Sequence, residues 1–280
     1  MNGATRMADA VPTVRSPSPT YVPQGSQFAG LYGRELLKTF RNPWVLLITL
    51  VQPFMWLAFF GSSFSGVPLA ALDVLLHAQI QSYLQFLLPG VLSTSMLSIG
   101  MFGSMSTIQD KRFGFMKRIL ITPTSKATVY LAKALGSATR GMVQIPVMIA
   151  AALVFGVRLE GDPLLWAGWI LGLVLLGFGF SCFFLAVTAS STDWQTPGVI
   201  SNFITMPLMF ASGALFPSAN FPGWMQTISD YNPVTYAALF GRGIVLNGTA
   251  DWTYLGYLAI FAAAMVAIGT LIAARYLKVE

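Results

Sequence analysis

Few side chains in this chain can do chemistry. It has one histidine, His77, and one cysteine, Cys182, so neither a His/Cys metal set nor a cysteine–histidine pair can be assembled. His77 reads as a polar loop residue, and Cys182, which can form no intrachain disulfide, as a small packing residue. The phosphate-cradling GxxxxGK[ST] loop is absent and no lysine follows a glycine, so no nucleotide site of that kind is expected. No apolar stretch carries a pair of acidic residues. That counts against an ion-coupled carrier, which uses ionisable relays at membrane depth. An intramembrane enzyme lacks its catalytic cluster. The groups that do gather are cations and hydroxyls, and their placement depends on the elements that carry them.

Those elements are long and apolar. Six stretches, Trp44 to Phe64, Phe86 to Ile108, Gly141 to Val157, Leu164 to Ala189, Val199 to Phe216 and Trp252 to Ala274, approach the span of a bilayer, which takes roughly 20 residues for a core of ~30 Å. With 55% apolar residues, 9% charged and a mean hydropathy of +0.67, there is too little polar material to coat a soluble globule. Backbone groups in lipid must be paired internally, and continuous rather than alternating apolar runs select helices over a barrel. The expected fold is all-α and integral to the membrane, with six transmembrane helices.

Loop cations set the orientation. With the N-terminus inside, every Lys and Arg except Arg158 and Arg242 falls on the inner side, while the acidic residues divide evenly. Both termini are therefore expected in the cytoplasm. The net charge of +6 lies along membrane borders rather than on one basic domain, so anionic lipid headgroups are the expected counter-charge, not nucleic acid.

The organisation is read as a disordered tail over residues 1–27, rich in Pro and Ser, an interface helix over 28–42, and a six-span domain over 43–280. In the interface helix Phe28, Leu31, Tyr32, Leu36 and Phe40 share one face and Arg34, Lys38 and Arg41 another, the pattern of a helix lying on a membrane. Asn42 and Pro43 end it. The first inner loop, Asp110 to Leu120, holds Lys111, Arg112, Lys117 and Arg118 around Phe113 and Phe115, with Phe113, Met116 and Leu120 on one face. Thr124 or Ser125 can cap the next helix. Lys126, Lys133 and Arg140 follow on one stripe, and the membrane boundary is expected near Arg140, its side chain snorkelling back to the cytoplasm.

Energy must then enter from elsewhere. A separate ATP-hydrolysing protein could supply it, docking on the interface helix and the first inner loop through Arg34, Lys38, Lys111, Arg112, Phe113, Met116, Lys117 and Arg118, while on charge alone that loop reads first as a basic topogenic segment. In the second span Ser93, Gly100, Ser104 and Thr107 fall near one face, and in the fifth Asn202, Thr205, Met209 and Ser212 do the same. These positions, joined by Gln52, form either helix contacts or a mildly polar seam for amphipathic cargo. After the fifth span, Pro222 and Trp224, then Asn232, Pro233 and Tyr236, mark a pair of short helices dipping into the outer leaflet. The second, Pro233 to about Leu246, is too short to span.

The interface helix, the six spans, the loop from Asp110 to Pro123 and the Leu215-Phe216-Pro217, Pro222-Gly223-Trp224 and Asn232-Pro233-Val234-Thr235-Tyr236 segments together resemble an ABC-2 type exporter permease. The likeness covers about Phe28 to Leu277 and is nearest to the daunorubicin-resistance and nodulation-factor export subunits. It implies that Asp110 to Pro123 is the coupling region resting on an ATPase and that Pro222 to Leu246 is an outer re-entrant pair. It further implies a half-transporter of a prokaryotic plasma membrane that pairs with itself or a sister subunit and recruits two ATP-binding subunits, which hold Mg-ATP. ATP-driven closure of those subunits would shift the balance between inward-open and outward-open states. The acidic residue common after the first cations of this loop is Phe113 here, so an ion pair made through it to the ATPase is not available. The cargo expected is a hydrophobic or amphipathic drug, lipid or glycolipid; the alternatives are a polysaccharide or teichoic acid, or an ion-coupled carrier of another class.

Overall fold

The computed structural model describes residues 24–63, 83–120, 124–157, 162–191 and 195–276. Residues 1–23, His77, Arg158 and Asp193 lie outside these, as does the side chain of Lys117. The described residues are helical and contain no strand: α1 Gln24–Phe40, α2 Pro43–Ser63, α3 Tyr83–Arg112, α4 Phe115–Leu120, α5 Lys126–Val154, α6 Pro163–Ser190, α7 Thr196–Phe210, a 3₁₀ turn Ser218–Asn220, α8 Gly223–Asp230, α9 Pro233–Asn247 and α10 Thr253–Tyr276. Four of them, α3, α5, α6 and α10, are long and apolar enough to cross a membrane, and α2 is apolar along Leu47–Ser63.

Helix α3 is the axis of the bundle and touches α2, α5, α6, α7 and α9; α6 lies between α3 and α10. The core is continuous along this axis, from Phe86, Leu88 and Leu92 to Leu173, Leu176 and Phe184, and includes Trp169 and Phe240. Glycine makes the close approaches possible. A Cβ at Gly168 would come within 2.7 Å of Trp252, and one at Gly100 within 2.8 Å of the Phe180 carbonyl carbon. Cys182 is fully buried in α6, and its carbonyl accepts a hydrogen bond from the Tyr130 hydroxyl.

Several starts follow local chemistry. Ser125 accepts from Thr128 N–H at 3.1 Å and begins α5, and Asn232 accepts from Val234 N–H at 3.0 Å and begins α9 with Pro233 in its first turn. Pro222 precedes α8 directly, and Pro197 sits in the first turn of α7. The interface helix begins at Gln24, four residues before the expected Phe28, and ends at Phe40.

The fifth apolar stretch differs from expectation. Its helix stops at Phe210 rather than reaching Phe216, giving a rod of about 22 Å at 1.5 Å per residue. Pro207 interrupts the bonding ladder, Ala211 N–H makes the last helical bond to the Pro207 carbonyl at 2.8 Å, and Gly213 turns the chain with φ +62°. The Ser212 hydroxyl donates to the Met209 carbonyl at 2.7 Å and accepts from Ala214 N–H at 3.2 Å. Ala211 to Leu215 is buried as irregular chain against α3 and α9, so its carbonyls need partners from elsewhere.

The side chain expected to snorkel at Arg140 also differs. Helix α5 runs unbroken through it, and Arg140 does not snorkel to water. It is 8% exposed and donates from Nε to the Thr39 hydroxyl at 3.1 Å. The polar stripe of α1 supplies that partner within the fold.

Candidate functional site

At the C-terminal end of α3 a buried ion cluster ties three elements together. Glu35 of α1, Asp110 of α3 and Lys133 of α5 are each only 6% exposed. The Lys133 ammonium donates to Glu35 Oε1 at 3.2 Å and, at closer range, to Asp110 Oδ2. Lys38 reaches Asp110 Oδ1 at 3.3 Å and the Ser106 hydroxyl at 2.7 Å, and Arg34 reaches Glu35 at 3.2 Å and Asp110 at 3.4 Å. The cationic stripe of α1 therefore faces the bundle, where two carboxylates await it, while Leu37 and Phe40 on the other side are 63% and 58% exposed.

Four of the eight expected docking residues have partners within the chain. Arg34 and Lys38 are engaged with Asp110 within the chain, and the Arg34 guanidinium also stacks 3.5 Å over the Phe115 ring. Lys111 turns inward and donates to the carbonyls of Thr188 at 2.6 Å and Ser191 at 3.3 Å, closing the C-terminus of α6. Met116 is 4% exposed and packs with Ile119 and with Val129 of α5, so this member of the loop's expected apolar face is covered. Three members stay outward: Arg112, Phe113 and Arg118. Phe113 is 77% exposed at a turn that Gly114 makes with φ +70°, a conformation suited to glycine.

The expected seam is rearranged in the same manner. Ser93 and Ser104 are at most 1% exposed and donate back into α3, to the carbonyls of Pro89 and Met101. Gly100 faces α6, and Thr107 donates to the Gly103 carbonyl at 3.4 Å. The three hydroxyls are thus satisfied within α3, and Gly100 makes the contact with a neighbouring helix. On the fifth stretch Thr205 meets the Met101 sulfur at 3.8 Å, Asn202 bonds the Gly198 carbonyl at 3.1 Å, and Ser212 is fully buried in the irregular segment.

A polar groove does exist, one face further round α3. Thr49, Gln52 and Trp56 of α2, Thr94, Ser95 and Ser98 of α3, Gln144 of α5 and Met209 of α7 line it. Gln52 and Met209 are thus the expected residues that reach it. Gln144 is 3% exposed, and its Nε2 meets no acceptor among the described residues. The free volume is about 20 Å³, room for one water, so the groove is closed to cargo in this conformation. The missed signal was a lone glutamine amid the apolar run of α5.

At the other end of α3 the irregular segment after α7 is held by Arg242. Its guanidinium donates to the carbonyls of Phe86 at 3.2 Å, Gly213 at 2.8 Å and Ala214 at 2.6 Å, and lies 3.6 Å over the Phe86 ring. Thr235 donates to the Ser212 carbonyl at 2.6 Å, and Asn232 Nδ2 to that of Leu208 at 2.7 Å. Gly90 lets the Ala214 carbonyl approach α3, since a Cβ there would strike it. Tyr236 stacks with Tyr254 and donates to the Asp230 carbonyl at 2.6 Å, while Trp224 is 68% exposed. Beyond the spans, Thr253 donates to Asp251 and holds its carboxyl below the usual carboxylate range. In the sequence Arg242, flanked by Gly241 and Gly243, signals only an interruption of a short apolar helix and an outward cation; its carbonyl partners lie on other elements.

Comparison with known proteins places these features among transporters. The family model described as ABC-2 type transporter matches residues 26–246. A daunorubicin resistance ABC transporter permease protein of Streptomyces coeruleorubidus is 27% identical over 224 residues, covering 80% of this chain and 75% of that protein. A putative transport permease of Cyanophora paradoxa is 28% identical over 208 residues, 74% of this chain and 69% of its own length. An O-antigen export system permease protein of Klebsiella pneumoniae is 23% identical over 207 residues, 70% of this chain and 73% of that protein.

Proposed function

Because the chain belongs to the ABC-2 type transporter family and is a multi-pass plasma-membrane permease of ABC exporters, we propose that it moves a hydrophobic or amphipathic molecule outward. Work is supplied through the tip formed by Arg112, Phe113 and Arg118. In this reading α2 and α7 complete six spans, both termini are cytoplasmic, and two copies of the chain, or one with a sister subunit, engage two ATP-binding subunits that hold Mg-ATP. Hydrolysis belongs to those subunits.

The observation that carries the proposal is the exposed Phe113 between outward cations, at the same end as the Glu35–Asp110–Lys133 cluster. A push on the tip reaches α3 through its own last turn, and the cluster passes it to α1 and α5 as one body. A buried ion network has few alternative arrangements, so it transmits displacement rather than absorbing it. The groove between α2, α3, α5 and α7 lies along the same α3, and its hydroxyls, amides and Met209 suit amphipathic cargo. A sugar chain would need a longer aromatic lining. Phe86 and Phe180 are buried in the core, which leaves Trp56 and Phe102 at the groove.

The test is co-purification of an ATP-binding ABC subunit with the wild type and with Phe113→Asp. Loss of the complex with an unchanged thermal midpoint supports the docking tip; undiminished complex and transport would remove it. Met116→Asp is unsuitable for this purpose, because it places a carboxylate in a buried apolar cluster.

A further inference from the structure

We propose that the cleft beside the 3₁₀ turn and α9 binds a compact oxyanion, a phosphate or carboxylate group, with Arg242 supplying the charge. The cleft has a volume of about 310 Å³ and is lined by Phe86, Ser218, Arg242, Asn247 and Tyr254 among others. That is at the lower end of the range for small-ligand sites.

Arg242 is 8% exposed, and the described residues place no carboxylate in an ion pair with it. Its three bonds go to neutral carbonyls of Phe86, Gly213 and Ala214. These satisfy hydrogen bonding without cancelling the charge, and a guanidinium has five N–H groups, so two remain to donate. A buried charge without a counter-ion is costly, and the Phe86 ring offsets only part of the cost. An anion entering the cleft would restore the balance, with the Ser218 hydroxyl, the Asn247 amide and the Tyr254 hydroxyl as further donors on the wall.

At the opposite end of α3 the buried Lys133 has two carboxylates, whereas Arg242 has an open cleft beside it. Exposed Phe216 and Trp224 flank the 3₁₀ turn, at 40% and 68%, as aromatic residues do at headgroup depth. The oxyanion can therefore come from an anionic lipid or from solution. This inference is independent of the path taken by cargo.

The experiment uses the full chain in nanodiscs of phosphatidylcholine alone, of phosphatidylcholine with phosphatidylglycerol, and of phosphatidylcholine with inorganic phosphate in the buffer. The thermal midpoint and the co-purifying phosphatidylglycerol, counted by mass spectrometry, are read for the wild type, Ser218→Asp and Asn247→Asp. Both variants place a carboxylate on the wall while leaving the carbonyl bonds of Arg242 intact. A phosphatidylglycerol-dependent rise of about 2–4 °C in the wild type, absent from both variants and accompanied by loss of one bound lipid, establishes a headgroup site. The same rise with phosphate in neutral discs establishes a site for a free anion. Equal shifts in wild type and variants, or no shift in the wild type, would overturn the proposal.

Discussion

Replacing Lys133 by Met removes the one cation that is as deeply buried as its two acidic partners. At 3.2 Å from Glu35 and an effective dielectric of about 20, a unit pair is worth about 5 kcal/mol in gross attraction. With Asp110 in contact as well, the gross value is about twice that, and most of it is offset by desolvating three buried ions. The intact cluster is therefore close to neutral for stability, but its interruption is not. Lys133→Met leaves Glu35 and Asp110 buried with only Arg34 and Lys38, whose side chains are 34% and 33% exposed. The expected loss is about 3–5 kcal/mol, or a fall of about 10 °C in the midpoint of a chain this size. Arg34→Met, which removes a partly solvated partner, is expected to cost at most about 1 kcal/mol. Adding Asp110→Asn to Lys133→Met removes one stranded carboxylate and is expected to recover about 1–3 kcal/mol. Thermal unfolding of the four proteins in one detergent or nanodisc decides the matter. Equal losses for Lys133→Met and Arg34→Met, or no recovery in the double variant, would refute the assignment of the cluster as a buried, mutually compensating unit.

Gly90→Ala puts a methyl group against the Ala214 carbonyl and is expected to cost about 1–3 kcal/mol, read as a lower midpoint. Trp169→Phe deletes the indole bond to the Ala237 carbonyl, 3.1 Å in a fully buried setting. The carbonyl keeps its bond within α9, so the expected loss is that of one hydrogen bond, about 0.5–1.5 kcal/mol. Cysteine at position 98, in the groove, is expected to react with a small maleimide only under turnover conditions that open the groove, whereas cysteine at position 104, where the native serine is 1% exposed, is not; the native Cys182 is buried and stays silent. Phe113→Asp is expected to leave the midpoint within about 0.5 kcal/mol and to act on partner binding alone.

The amino-acid sequence by itself determined the class of fold, the principal spans and the punctuation between them. Long apolar runs, Asn232 before Pro233 and Ser125 before Lys126 express short-range physics: hydrophobic transfer, backbone satisfaction and capping are properties of a segment and its immediate neighbours. Tertiary structure decided which face of each helix is spent on its neighbours. Periodicity placed Arg34 and Lys38 on a polar face and Ser93, Gly100 and Ser104 on a small one, but a face has no destination until its partner is present. Asp110, 76 residues from Arg34, turned the cationic stripe inward, and α6 closed over Gly100. The end of the fifth helix was hidden for the same reason. Its apolar composition continues to Phe216, and donors far along the chain, Arg242 to the Gly213 and Ala214 carbonyls, Thr235 to that of Ser212 and Tyr83 to that of Leu215, make it possible to leave those carbonyls outside a helix. Long-range pairing of buried polar groups is the part of the physics that no local window contains.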